Sequence, residues 1–593
     1  MKTLVLLIGL CLAAGTAVAQ VPQWPDGWPT VDQYGGITAI TVAGSNGQWR
    51  VAKVGNRWVM VDPLDHPTWV NGVWVVTECC NSIARYGSSL NWSVQTLKRL
   101  NRWGFTFIWD HSFGSVWPNA AGQTNPMPMP YFQDGNDYPD RPEKAVLPGY
   151  CTTGHTAKTI GGALNLAYAP PAHNVGTDPY DPCFTIWNNA FWAPATRPAE
   201  ATNAMANSYF IGWSSAESDF IQFMGAASGT NFISTPPGKE ADSSHGAWNV
   251  LAANPIVSSE QIPTGATVTF IDTQLYAKTA LQTFLQGRYG TIANLNAAWA
   301  STYTTFGSDG GWGNTGNGLM DENGNTGRHA WVGSWNTLNG ETAAMKTDLN
   351  DFLFQMASKF FQVQRDAFKA AYPLKLYLGP NIVGSWGNPA RSPVLQAAAL
   401  YVDALQMNIG TGAVNDQARL DFVGQYFGDK PIMNWMGFPA NPNSAICGTA
   451  GICTSPDTWQ VSNTQAARGA IYTTLYLWQY NSALTSNGSH IIIGQRWWEL
   501  SDRLGEGTNW GLETYTKGNA YDGAEAVVAA HNDAWGFPAG GEAQNYGNFL
   551  GPGTNTVINT NLAIMLSLAG ITPPPGGKKV NLTGTIVVTG KAQ

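Results

Sequence analysis

LKLYLGPNI (Leu374–Ile382), YVDALQMNI (Tyr401–Ile409), KPIMNWMGF (Lys430–Phe438) and HIIIGQRWWELSD (His490–Asp502) are short apolar runs set between helical stretches. Strands that alternate with helices imply a parallel sheet. The same alternation is legible earlier, in WVNGVWVVTE (Trp69–Glu78) and NWSVQTLKRLNRWGFTFIWDHS (Asn91–Ser112). A strand near MPMPYFQD (Met127–Asp134) and the buried run that opens YFIGWSSAESD (Tyr209–Asp219) bring the count to the eight of a (β/α)8 barrel. The expected fold class is therefore α/β, a TIM barrel.

Upstream, ITAITVAGSNGQWRVAKVGNRWVMVDP (Ile37–Pro63) alternates apolar and polar residues around Gly and Asn. That pattern predicts short antiparallel hairpins in an entry segment over 20–66, with the barrel spanning 67–570. Two long insertions interrupt the barrel. Residues 134–200, rich in Pro, Gly, Asp and Asn, read as a surface loop. Residues 235–335 combine a helical stretch with a Gly/Asn-rich run and read as decoration around the active-site mouth. DENGNTG (Asp321–Gly327) has the look of a calcium loop but lacks the spaced carboxylates and the terminal Glu. At the far end, 571–593 read as a Pro/Gly linker and one terminal strand.

The first residues, MKTLVLLIGLCLAAGTAVAQ, join Lys2, an apolar run and Ala17-Val18-Ala19, the pattern of a signal peptide over 1–19. Leu10 stands where a lipidated Cys11 would need a small residue. The expectation is a secreted or periplasmic protein with no membrane span. Six cysteines follow the signal: Cys79, Cys80, Cys151, Cys183, Cys447 and Cys453. An even number in an exported chain favours disulfides, and their spacings with eight scattered histidines form no compact zinc set. No metal and no cofactor are expected.

Only 12% of the 593 residues are charged, the net charge is -8 and aromatic residues also reach 12%, with 26 tryptophans. A phosphate backbone needs clustered Lys and Arg, so nucleic acid is an unsuitable partner. An aromatic-rich, charge-poor surface suits sugar, because an aromatic ring stacks on the apolar C–H face of a pyranose while polar rim groups fix its hydroxyls. Trp109, Trp213, Trp386, Trp435, Trp497 and Trp498 all fall at or near expected strand ends.

GNRWVMVDPLDHPTWVNGVWVV (Gly55–Val76) resembles the entry into the first barrel strand of agarase-type glycoside hydrolases, and LKRLNRWGFTFI (Leu97–Ile108) their second β unit. FLQGRYGTIANLNAAWASTYTTF (Phe284–Phe306) is similar to a helix shared by barrel β-galactosidases and agarases. The likeness covers roughly residues 50 to 535 and is nearest to the family 50 β-agarases of glycoside hydrolase clan A. It implies a retaining mechanism with two carboxylates about 5 to 5.5 Å apart, one acid/base and one nucleophile. Glu217, ending YFIGWSSAESD, matches the acid/base position, although Ala216 stands where the family has an asparagine. In strand seven, where the family carries its nucleophile, Met436 occupies the position, and a thioether cannot do a carboxylate's work.

Three carboxylates could substitute. Glu499 in RWWELSD is the first choice; its bland reading is a rim glutamate paired with Arg496 or Arg503. Glu78 and Asp110 rank below it, with Asp110 better suited to orienting a sugar hydroxyl together with His111. A pair about 6.5 to 9.5 Å apart would admit a water and invert the anomeric centre. The expected site is thus Glu217 and Glu499 for catalysis, and Trp213, Asp110, His111, Asn408, Trp435, Trp497 and Trp498 for substrate. The expected function is a secreted glycoside hydrolase cleaving β-glycosidic bonds in a polysaccharide, galactose-containing chains among the candidates, with an atypical nucleophile. The alternative is a catalytically silent barrel that binds polysaccharide or builds an extracellular structure.

Overall fold

The structure, a computed structural model, describes residues 24–77, 86–109, 112, 128–134, 159–160, 176–193, 207–215, 250–251, 257–261, 267–271, 276–309, 316–321, 342–382, 391–407, 409, 416–436, 465–501, 511–514, 543–544, 550, 555–571 and 586–588. Eight parallel strands form its centre: β1 Val70–Val73, β2 Phe107–Ile108, β3 Tyr131–Asp134, β4 Phe210–Ser214, β5 Leu376–Gly379, β6 Leu405–Met407, β7 Ile432–Met436 and β8 Ile492–Trp497. Their order in the sheet is 5-4-3-2-1-8-7-6. Between the two ends, β5 and β6, a parallel bridge pairs Ile382 with Met407, and the amide of Ile382 donates to the carbonyl of Gln406 at 2.9 Å. The sheet thereby curls into a nearly closed barrel. All eight strands fall within the runs the sequence marks, including the one at MPMPYFQD.

Nine helices accompany the strands among the described residues: α1 Ser89–Arg102, α2 Pro182–Trp192, α3 Tyr276–Tyr289, α4 Ile292–Trp299, α5 Ala343–Ala371, α6 Ser392–Tyr401, α7 Asp416–Tyr426, α8 Gln465–Asn481 and α9 Val557–Leu568. The first begins where the Ser88 hydroxyl accepts the Asn91 amide at 3.1 Å, and it ends with Arg99 and Arg102 in the last turn, where cations complement the helix dipole. Trp92, Leu97 and Leu100 lie on its buried face. The longest, α5, buries Leu349, Phe352, Leu353, Met356, Phe360, Val363, Ala367 and Phe368 at three- and four-residue spacing. Its 29 residues span about 43 Å, more than the strands need, so its N-terminal turns project beyond the end of the barrel where the strands finish.

That projection carries much of the second insertion. Buried Asp348 accepts from Trp299 Nε1 at 2.6 Å, from the Tyr289 hydroxyl at 2.5 Å and from Arg288 at 2.5 Å. One carboxylate on α5 therefore clamps both α3 and α4. The residues of DENGNTG after Asp321 lie outside the described set.

At the opposite end, Arg50–Val54, Arg57–Val61 and Pro67–Thr68 make the expected antiparallel sheet. It is tied to the start of β8, where the Trp58 amide donates to the carbonyl of His490 at 3.0 Å. The terminal strand Ile586–Val588 pairs in parallel with Ile40–Val42. No described helix is long and apolar enough to cross a membrane.

Candidate active site

Side chains alternate along a strand, so each barrel strand sends every second residue into the lumen and the rest toward the helices. In β8 the lumen receives Arg496. This fully buried guanidinium donates to Gln406 Oε1 of β6 and to Asn381 Oδ1 just beyond β5. It lies 4.5 Å from the ring centre of Trp74, after β1, and 5.2 Å from that of Trp109, after β2. Trp109 Nε1 donates to the same Gln406 oxygen at 3.0 Å. Gly72, inward on β1, leaves the space Trp109 needs: a Cβ there would stand 3.0 Å from the indole.

Five elements thus meet in one polar, tryptophan-faced floor near the C-terminal ends of the strands, the end at which barrel enzymes build their sites. Gln406 and Asn381 direct their oxygens at the cation, and in β7 Asn434 Oδ1 accepts the Ile409 amide at 2.9 Å. The amide nitrogens of Asn381, Gln406 and Asn434 are buried and have no hydrogen-bond partner among the described residues. Two of these N–H donor groups, those of Asn381 and Gln406, lie at the lumen floor beside Arg496 and suit hydroxyl acceptors, whereas Asn434 aligns with Gln495 on the outward side of its strand.

Glu499 follows β8 at this same end and is only 1% exposed. Its position is fixed by main-chain bonds on both sides. The Trp74 amide donates to Trp497, the Leu500 amide to Trp74 and the Leu512 amide to Glu499 itself at 3.1 Å. The Trp498–Glu499 peptide is cis. Half-buried Trp498 stands edge-on to Trp74, with centroids 4.7 Å apart. Glu499 is thus a buried residue whose main chain is held next to Trp74 and Trp498, not a solvated rim glutamate.

Trp213 and Trp497 were expected to line sugar subsites, and both positions need correction. The Trp213 ring packs on Trp192 of α2 at 4.7 Å and Phe368 of α5 at 5.5 Å. The Trp497 ring packs on Tyr472 and Arg468 of α8. Both are core residues of the layer between sheet and helices, because they occupy the outward positions of their strands. Of Trp435 and Met436 the backbone alone is described; Met436 pairs with Trp497 of β8, so the position where a strand-seven carboxylate was expected sits beside that residue. Glu217, Glu78, Asp110, His111, Asn408 and Trp386 lie outside the described residues, as do Cys79, Cys80, Cys151, Cys447, Cys453 and the side chain of Cys183. For Glu217, β4 ends at Ser214, and the Ser215 amide donates to the Gly379 carbonyl at 3.0 Å. Ser215, the last described residue there, stands two positions before Glu217 in the chain.

Neither a protein-family model nor a curated protein matches the sequence. Solved structures do match. One titled as an exo-β-agarase has a TM-score of 0.55 at 16% identity, covering 92% of this chain and 67% of its own. The agarase AgWH50C has a TM-score of 0.54 at 15% identity, covering 82% and 65%. BpGH50 has a TM-score of 0.51 at 14% identity, covering 91% and 86%. The chain thus spans about two thirds of the length of the two agarases. At these identities what is shared is the fold, a (β/α)8 barrel.

Proposed function

We propose that this chain is an exported glycoside hydrolase that cleaves β-glycosidic bonds in a polysaccharide, and that galactose-containing chains such as agar are the first substrates to test. The observation that carries this reading is the burial of Glu499 directly after β8, next in the chain to Trp498, at the C-terminal end of the barrel. The amide donor groups of Asn381 and Gln406 in the lumen floor and the agarase-like fold support it.

Glu217 is the proposed general acid and Glu499 the second carboxylate. In a ring of eight, β4 and β8 stand four strands apart, on opposite sides of the lumen. Carboxylates delivered from opposite walls approach the sugar from two faces instead of sitting side by side. That favours the wider separation of about 6.5 to 9.5 Å, in which Glu499 would activate a water while Glu217 protonates the leaving oxygen, with inversion at the anomeric carbon. Met436 at the usual nucleophile position is then no defect, since no covalent intermediate is formed.

The test is turnover on a panel of β-linked polysaccharides by the wild type, Glu217→Gln and Glu499→Gln. Loss of either acid/base group should lower kcat by about 10²–10⁴-fold. Turnover unchanged in both variants would overturn the assignment, and tight binding without turnover by the wild type would instead support a silent, polysaccharide-binding barrel.

A further inference from the structure

Away from the mouth, at the end of the barrel where the strands begin, two tight turns face each other. In the first, Asp32 Oδ1 accepts the amides of Tyr34 at 2.8 Å and Gly36 at 3.1 Å, with Gly35 at a φ of +84°. In the second, Asp62 Oδ1 accepts the amides of Leu64 at 2.8 Å and His66 at 3.0 Å. Each aspartate spends one oxygen on its own turn. The other oxygens, with the His66 imidazole, point toward a common centre, and the three ligand atoms lie within 4.8 Å of one another.

The three side chains are not equally satisfied. His66 Nδ1 is 2.6 Å from Asp32 Oδ2. Asp62 is fully buried, and its Oδ2 has no hydrogen-bond partner among the described residues. A buried carboxylate oxygen without a partner is costly, and here a second carboxylate faces it. Burial and the Asp32 carboxylate push the Asp62 carboxyl up to about 8. The backbone closes tightly around the same oxygen: a Cβ on Gly36 would fall 1.9 Å from Asp62 Oδ2, so no side chain can fill the space. A cation at the common centre would neutralise both aspartates and satisfy all three groups at once.

We propose that Asp32, Asp62 and His66 bind one divalent transition-metal ion, Zn²⁺ or Mn²⁺, which pins the segment before the entry hairpin to the strand that leads into β1. The donor set selects the metal: two carboxylate oxygens and one imidazole nitrogen suit these ions, whereas calcium and magnesium take all-oxygen shells. The site's place at the strand-entry end makes it a structural clamp, separate from the proposed hydrolytic site. Sequence spacing does not disclose it, since the ligands lie up to 34 positions apart and come from two turns.

The experiment uses the full chain, stripped with a chelator, desalted and titrated calorimetrically with ZnCl₂ and, separately, MnCl₂. One equivalent of one of these metals should bind saturably and raise the thermal midpoint. Asp62→Asn and His66→Gln should each weaken that binding by about a hundredfold or more, since even groups that merely orient ligands contribute 10–100-fold. Circular dichroism identifies which variants fold, and His66→Gln decides the matter if Asp62→Asn does not. Absence of saturable binding by either metal, or an affinity unchanged in the folded variants, would overturn the proposal and leave a proton shared by the two carboxyls.

Discussion

Replacing Arg496 with methionine tests whether its guanidinium holds the lumen floor together. The substitution keeps an apolar stem of similar length between Trp74 and Trp109 but removes the charge and the fork. Gln406 Oε1 keeps its bond from Trp109 Nε1, while Asn381 Oδ1 loses the donor it has in the wild type. Two charge-assisted hydrogen bonds contribute about 1.5–3 kcal/mol each, and a desolvated cation over an aromatic face adds up to about 2 kcal/mol. Against these stands the cost of keeping the cation out of water, which methionine relieves. A net loss of about 2–4 kcal/mol follows from these opposing contributions. For a chain of this size the unfolding entropy is large, so the thermal midpoint should drop by only about 2–3 °C. Activity should suffer more, because Trp74 and Trp109 lose the plane that spaces them; kcat/KM on the best substrate should fall by at least about tenfold, the effect of 1.4 kcal/mol at the transition state. Arg496→Lys, a point charge unable to fork to two oxygens, should fall between. Differential scanning fluorimetry and steady-state kinetics on all three proteins read both effects. An Arg496→Met protein with wild-type midpoint and wild-type kcat/KM would refute the claim that this cation organises the floor.

Three further outcomes are expected. Trp213→Leu should destabilise the fold by about 2–4 kcal/mol, within the range for cutting a large buried side chain, and leave KM unchanged, whereas Trp498→Ala should raise KM with a smaller effect on melting; the opposite pattern would return Trp213 to the substrate site. If Glu217 and Glu499 work from opposite walls, the first product observed by proton NMR should carry the inverted anomeric configuration, and a retained product would exclude Glu499 as an inverting base. Lys375 donates to the carbonyl of Phe210 at 2.7 Å, and burial lowers its ammonium to about 8. Between pH 8 and the unfolded value of 10.5 the unfolded chain holds the extra proton, so stability should rise with pH across that window in the wild type relative to Lys375→Met. Parallel denaturation curves at pH 7 and 9 would show no such difference if Lys375 kept its usual ammonium range.

The barrel was legible because its signal is repeated. Each strand is an apolar run a few residues long between helical stretches, and eight such runs over-determine the answer even where one, β3, is weak. The direction of the tryptophans was less accessible, although the information was present. In GQRWWE an arginine inside a parallel strand is tolerable only where other polar groups meet it, which places Arg496 in the lumen and hence Trp497 outside and Trp498 inside. Trp213 follows from the same alternation once Ser214 is assigned inward. What no local pattern could supply were the partners of Arg496. Gln406, Asn381 and Trp109 come from three different β/α units, and only closure of the barrel brings them to one guanidinium. Asp32, Asp62 and His66 were hidden for the same reason on a smaller scale.

The two sets of polar residues divide the molecule by function along the barrel axis. At the entry end, the Asp32–Asp62–His66 cluster joins turns whose sequence positions the backbone fixes closely, as the clash of any Cβ at Gly36 with Asp62 requires. At the exit end the polar groups are neutral amides with their nitrogens unspent, arranged around a cation already engaged by their oxygens. A structural clamp gains by saturating every donor and acceptor with one tight ligand. A sugar site must leave donors available and bind hydroxyls that come and go. The unspent nitrogens of Asn381 and Gln406 therefore belong with turnover and the crowded carboxylates with permanence, so chelation should lower the melting temperature while leaving the KM of the folded enzyme unchanged. A rise in KM on chelation, at temperatures well below unfolding, would show that the entry-end cluster reaches the mouth and would break this division.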